Sequence, residues 1–201
     1  DSNPENKTLF ICEGLSALGS LIATRNSKIH GGYPLKGKIL NVRDMKPVDI
    51  LKNKEISELL SIIGLEFGKP ATDLNYGRIA PMTDSDTDGD HIFGLLMNLF
   101  SHWPELFKEG RICRATAPLY VCTKGKTVKT FYTKKEFDEF NSSGYNIEYM
   151  KGLGSMSKEL YSICINQPRF IRVHADTAAD FESLEMAFGD SADKRKEWMM
   201  A

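Results

Sequence analysis

Cysteine is scarce in this 201-residue chain and shows no pattern. The four residues, Cys12, Cys113, Cys122 and Cys164, are scattered and form no C-x-x-C pair. That argues against a zinc ribbon and against a disulfide-stapled secreted scaffold, and favours reduced, buried thiols. No apolar run reaches the length of a membrane span, and no secretory leader opens the chain. A membrane partner is therefore not expected, and the expected location is cytoplasmic. The phosphate-binding pattern G-x-x-x-x-G-K-[ST] is missing, so no P-loop nucleotide site is expected. No internal repeat and no low-complexity linker divides the chain. It begins at Asp1 rather than Met, so either a fragment or an engineered start is expected.

Charge is short of one sign only locally. The net charge of −1 names no partner, and 41% hydrophobic with 26% charged residues is ordinary for a globular protein that can bury its own core. Between Gly14 and Arg43, however, there is no acid, while Arg25, Lys28, Lys36, Lys38 and Arg43 are present. Between Gly110 and Lys135 there is again no acid, against seven bases: Arg111, Arg114, Lys124, Lys126, Lys129, Lys134 and Lys135. Solvated faces would explain such stretches. A polyanion held near a metal would explain them too.

The metal is suggested by Ile79 to His91, I-A-P-M-T-D-S-D-T-D-G-D-H. A short apolar run ends in Asp84, Asp86, Asp88 and Asp90, and Ile92 to Phe100 then reads as a buried helix. The carboxylates thus stand where a strand stops and a helix begins, the ligand-binding edge of an open parallel sheet. Like charges at this density repel unless a cation neutralises them, and hard oxygens suit Mg²⁺, Mn²⁺ or Ca²⁺. A solvated acidic turn is one alternative. A calcium loop of the EF-hand type is another, but its twelfth position needs a bidentate Glu and holds Leu95. The preferred reading is a catalytic magnesium site.

Along the rest of the chain, Lys7 to Cys12 reads as a first strand ending at Glu13-Gly14, with a small-residue helix from Ser16 to Ala23. Asn26 to Lys38, rich in Gly and Pro, reads as a loop, and Lys38 to Val42 as the second strand. Glu55 to Ile63 has helical spacing closed by Gly64. The β-α-β-α-β-α rhythm predicts an α/β parallel sheet flanked by helices. After Trp103-Pro104 the pattern changes. Extended segments are expected over Arg111 to Val121, Lys126 to Thr133 and Asn146 to Met150, and helices over Glu136 to Phe140, Ser157 to Ile165 and Ala192 to Met200. The division expected is a metal-binding core over residues 1–123 and a small α+β extension over residues 124–201.

Four segments in order carry a resemblance: Glu13-Gly14 with Ser16-Ala17, Pro34 to Val42, Met82 to Gly89 with His91-Ile92, and Lys151-Gly152-Leu153-Gly154. Together they resemble the TOPRIM region of type IIA DNA topoisomerases, of the gyrase B and eukaryotic topoisomerase II type. The segment Trp103 to Phe107 and the chain's end look most like the large subunit of T-even-type phage topoisomerases, which would place the protein in a host bacterial cytoplasm. The resemblance implies a TOPRIM (Rossmann-like) fold. It implies metal ligation by Glu13, Asp84, Asp86 and Asp88, catalytic roles for Glu13, Asp84, Asp86 and Lys151, and DNA contacts by Lys36, Lys38 and Lys151. It implies Mg²⁺ as cofactor, with Mn²⁺ or Ca²⁺ able to substitute in binding. It also implies double-stranded DNA as substrate, a tyrosine-bearing cleavage subunit or domain, and ATP used by a separate ATPase module. One departure stands out: the family commonly has E-G-D-S-A, and here the third position is Leu15. Two rival readings are a TOPRIM nuclease or primase, which needs no tyrosine, and a non-catalytic Ca²⁺-binding module.

Overall fold

The computed structural model describes residues 3–84, 86–150 and 156–200. Its centre is β1 (Thr8–Glu13), which pairs in parallel with β2 (His30–Leu35) on one side and with β3 (Arg78–Met82) on the other, in the order β2-β1-β3. A parallel sheet is stable only with both faces covered, and the alternation along β1 does this. Leu9 and Ile11 face a cluster with Ile56, Leu59, Leu96 and Phe100, while Phe10 and Cys12 face another with Ala17, Leu21, Tyr161 and Ile165. The first cluster is supplied by α3 (Lys54–Ile63) and α4 (Thr87–Phe100), which follow α2 (Pro47–Ile50). The second is supplied by α1 (Leu15–Thr24) and by α7 (Lys158–Asn166), which returns from late in the chain.

Local chemistry sets the ends of these elements. Asn53 caps α3, its Oδ1 accepting from the Ile56 N–H at 3.1 Å, and Gly64 closes it at φ 93°. After α4, Trp103 and the short α5 (Glu105–Lys108) fill the base of the core, with the Trp103 indole N–H donating to the Glu66 carbonyl at 3.2 Å.

The second strand lies elsewhere than the sequence suggests. Residues 30–35, read as loop, form β2, whereas Lys38 to Val42, read as strand, is irregular. The glycines that suggest a loop are there for close approach. A Cβ on Gly31 would lie 2.4 Å from the Tyr76 hydroxyl, and one on Gly32 would lie 2.4 Å from a Leu21 methyl. Pro34, which cannot donate to a ladder, is tolerated because β2 is an edge strand. Ile39 and Val42 are buried without a strand, and Asn41 works through its side chain. Its Oδ1 accepts from the fully buried Asn98 amide at 3.0 Å, and its Nδ2 donates to the Phe188 carbonyl at 2.7 Å.

Beyond the core, β4 (Cys113–Thr116) runs beside β3 and pairs antiparallel with β8 (Arg169–Arg172). A separate antiparallel sheet in the order β6-β5-β7 comprises β5 (Tyr120–Lys124), β6 (Thr127–Phe131) and β7 (Asn146–Tyr149). The single extended segment expected over Arg111 to Val121 is thus two strands, separated at Ala117-Pro118-Leu119. The helix α6 (Lys134–Asp138) is started by a capping box between Thr133 and Glu136. Two helices end the chain, α8 (Ala178–Phe188) and α9 (Ala192–Met200). Phe188 seats α8 on α4 at Gly94, where a Cβ would meet its ring at 2.8 Å, with His91 stacked on it at 6.3 Å. All four cysteines are buried and free. Among the described residues no helix is long and apolar enough to cross a membrane.

Candidate metal centre

The parallel register sets Cys12 beside Met82, so β1 and β3 end together. Glu13, the last residue of β1, therefore lies beside Thr83-Asp84 where the chain leaves β3. The Asp84 backbone N–H donates to Glu13 Oε2 at 3.3 Å. Gly14 takes the chain from β1 into α1 at φ 90°, a conformation open to glycine, which leaves Glu13 at the mouth of the sheet. Leu15, at the usual Asp position, is 76% exposed as the first residue of α1.

Asp86 begins α4. Its Oδ1 accepts from the Gly89 N–H at 2.8 Å, so one acid of the run is the N-cap of the helix that carries Asp88 and Asp90. The helix N-terminus also presents a partial positive charge to the acids around it. Gly89 packs straight onto the preceding turn: a Cβ there would lie 2.2 Å from the Asp84 carbonyl oxygen. Glycine at this position fixes how close the Asp84 backbone and α4 can come.

Two acids are held by bases from the acid-free stretches. Lys38 Nζ lies 2.8 Å from Asp88 Oδ1, and Arg114 Nη2 lies 2.6 Å from Asp90 Oδ1. Arg114 Nη2 also donates to Thr83 Oγ1 at 3.3 Å, and its guanidinium lies over the Phe93 ring. The sequence reading counts Asp90 among the clustered acids and Arg114 among the bases but pairs neither, and it gives Gly89 no packing role. The proximity of β4 to β3 that joins Arg114 to the acidic turn has no signature in the linear chain.

Electrostatics distinguish the acids. Burial holds the Glu13 carboxyl above the ordinary glutamate range. The Asp84 N–H opposes this, and the charges of Asp84, Asp86 and Asp88 add to it. Asp88 is held below its ordinary range by its hydrogen bond and ion pair with Lys38.

Glu13, Asp84, Asp86 and Asp88 thus occupy one corner of the sheet, near enough for the aspartates to act on Glu13. Among the described residues, however, no three His, Cys, Asp or Glu side chains form a ready-made metal cage. Asp86 accepts from its cap through Oδ1 and Asp88 meets Lys38 through Oδ1, so each would ligate through the acceptor capacity its carboxylate has left. The donor set itself fits a hard divalent cation: carboxylate oxygens at one strand edge, with mutual repulsion that such an ion relieves. Lys36 is exposed, its backbone N–H donating to Glu55 Oε1 at 2.7 Å. Lys151 and the Gly152-Leu153-Gly154 turn lie outside the described residues.

Acids at the carboxyl ends of neighbouring parallel strands, on a sheet covered by helices on both faces, stand at the edge where open α/β sheets bind ligands. The family is given by comparison. Residues 8–117 match the model of the Toprim domain, and residues 115–201 match that of the C-terminal associated domain of TOPRIM. The chain belongs to the Toprim family. It is similar to DNA topoisomerase 2 of Bombyx mori, 38% identical over 96% of this chain and 14% of that protein. It is similar also to human DNA topoisomerase 2-beta, 37% identical over 96% of this chain and 13% of that protein. The chain therefore spans only about one seventh of these relatives. Among solved structures, the DNA-binding, cleavage and re-ligation domain of Plasmodium falciparum topoisomerase II superposes with a TM-score of 0.83 at 31% identity, covering 98% of this chain and 29% of that one. None of the three is a phage protein.

Proposed function

We propose that this chain is the metal-binding TOPRIM part of an ATP-dependent type IIA DNA topoisomerase. It would support Mg²⁺-dependent double-strand cleavage and religation by a tyrosine supplied from a partner subunit or domain. One observation carries the reading: Glu13 and Asp84 meet at adjoining strand ends, in a chain whose relatives are type II topoisomerases. The division into a core over residues 1–123 and an extension over residues 124–201 is part of the same proposal.

Glu13 and Asp84 would hold one ion, and Asp84 with Asp86 a second, with Asp88 as the third acid of the run. A divalent ion bound there neutralises a phosphate oxygen and stabilises a leaving 3′ oxygen. Glu13 is suited to move a proton. A carboxyl whose pKa is raised by burial carries its proton closer to neutral pH, so it can donate to the departing 3′ oxygen and recover the proton during religation. Lys36, Lys38 and Lys151 would follow the DNA backbone. Lys38 would first have to leave Asp88, and a cation on Asp88 would release it. Two tyrosines of this chain are poorly placed to be the nucleophile. Burial pushes Tyr33 up to about 12 and raises Tyr161, and their hydroxyls donate to the carbonyls of Glu55 and Ala17.

The test is reconstitution with a tyrosine-bearing partner, scoring protein-linked DNA breaks with and without EDTA. Breaks should need the metal. Asp84→Ala should lower cleavage by at least about a hundredfold, the loss typical for removing one charge-stabilising group. Nicking by this chain without any covalent adduct would point to a nuclease or primase. Normal cleavage by Asp84→Ala with an unchanged magnesium requirement would refute the assignment.

A further inference from the structure

The acid-free stretch from Gly14 to Arg43 does not serve one end of the sheet. Lys36 and Lys38 lie near the acidic turn, but Arg25 and Lys28 lie at the opposite edge, where β1 and β2 begin with Thr8 paired to His30. A six-residue strand separates the two ends by about 17 Å. Around this edge is a recess of about 170 Å³ lined by Lys7, Arg25, Ser27, Lys28, His30 and Tyr76, among others, with no Asp or Glu among its lining residues.

Among the described residues none of these three bases takes part in an ion pair, in contrast to Lys38 and Arg43, which pair with Asp88 and Glu185. The nearby Glu5 is engaged by Arg111 at 3.0 Å. Arg25 is held in place, its Nη1 donating to the His30 carbonyl at 2.6 Å. The His30 side chain is only 8% exposed, and its Nδ1 has no hydrogen-bond partner among the described residues. Burial first, and then the Arg25 charge, hold the imidazole below its ordinary range.

We propose that this recess binds a phosphate group, as a second anion contact remote from the metal centre. Lys7, Lys28, Arg25, Ser27 and Tyr76 all line the recess, so ammonium, guanidinium and hydroxyl donors border a cavity with room for one tetrahedral oxyanion. The phosphate would come either from a nucleic-acid backbone or from a free anion, and the measurement separates the two.

The intact protein is titrated in EDTA with inorganic phosphate, followed by phosphorus NMR line width, and with a fluorescent DNA duplex at several salt concentrations. Lys7→Gln/Lys28→Gln leaves the Arg25 bond to the backbone in place, so the local fold is retained. Arg25→Gln is the second variant. A backbone phosphate predicts that the double variant lowers the salt slope of duplex binding by about 1.8, two contacts at about 0.9 each. A free-anion site predicts that inorganic phosphate broadens with the parent protein and not with the variants, at an unchanged duplex slope. If the variants bind both probes as the parent does, the proposal is overturned. Because no divalent ion is present, that failure would leave the cleavage reading untouched.

Discussion

The β2-β1-β3 sheet and the β6-β5-β7 sheet each have three strands, but they are supported differently. In the first, β1 is buried from Thr8 to Cys12 and helices cover both faces. In the second, β7 is exposed along its whole length and β6 over Thr127 to Lys129, while β5 buries Val121 and Cys122. Half-exposed rings do much of its packing: Tyr120 stacks on Phe137 at 4.3 Å, and Phe131 lies 4.8 Å from Phe140. The difference follows strand direction, since parallel sheets must be covered on both faces and antiparallel sheets need not be. Its consequence is functional. Acids at the ends of β1 and β3 inherit the position of a packed core. The bases Lys124, Lys126 and Lys129 sit exposed on the β5-β6 hairpin, outside that core.

The contrast can be tested by truncation. Phe10→Ala empties a fully buried site on β1 and should cost about 3–5 kcal/mol in urea unfolding, with loss of metal binding. Gly89→Ala comes next. Its Cβ must push the Asp84 carbonyl away, so roughly 1–3 kcal/mol of strain is expected. Divalent affinity should fall even where the fold survives, because the strain is placed on the Asp84 turn. Tyr120→Ala should cost only about 1 kcal/mol, the worth of an aromatic stack, and leave divalent affinity unchanged. Equal losses for Phe10→Ala and Tyr120→Ala would remove the distinction between the two sheets.

Much of the core was legible because periodicity reports burial. The apolar runs of β1 and β3 and the helical spacing of α3 read correctly. The helix α4 starts earlier than its apolar run suggests, at Thr87 under the Asp86 cap, so Asp88 and Asp90 lie in its first turn rather than before it. The acidic run marks the strand-to-helix junction by composition alone. What failed was β2. Gly31, Gly32 and Pro34 look like a loop, but the glycines admit Tyr76 and Leu21, and the proline is harmless on an edge. The mirror error was Lys38 to Val42, where Ile39 and Val42 are buried and Asn41 bonds through its side chain. That Glu13 belongs with the acidic turn was implied by the resemblance, and the β2-β1-β3 order is what brings the two strand ends together. That Asp86 caps α4, that Asp88 faces Lys38 and that Arg114 reaches Asp90 are tertiary facts, which spacing along the chain does not encode.

The smallest effect expected concerns Glu13 and pH. Its carboxyl is raised in the folded protein, first by burial, so folding favours the protonated form. The stability this contributes is complete below the ordinary glutamate value of about 4.3 and is lost as pH rises through the raised value. In EDTA, Glu13→Gln should therefore melt slightly higher than the parent at neutral pH, and the gap should close below that ordinary value. A variant that melts lower at neutral pH would show that the carboxylate is stabilised where it sits.

The most direct test of a shared ion is Mn²⁺ affinity, measured by calorimetry on the parent, Glu13→Gln, Asp84→Asn and the double variant. If Glu13 and Asp84 hold the same cation, each single change weakens binding by roughly tenfold or more, and the double change is little worse than either, the non-additivity expected of partners in one site. Losses that simply multiply, or a single change that leaves the affinity intact, would contradict a common site.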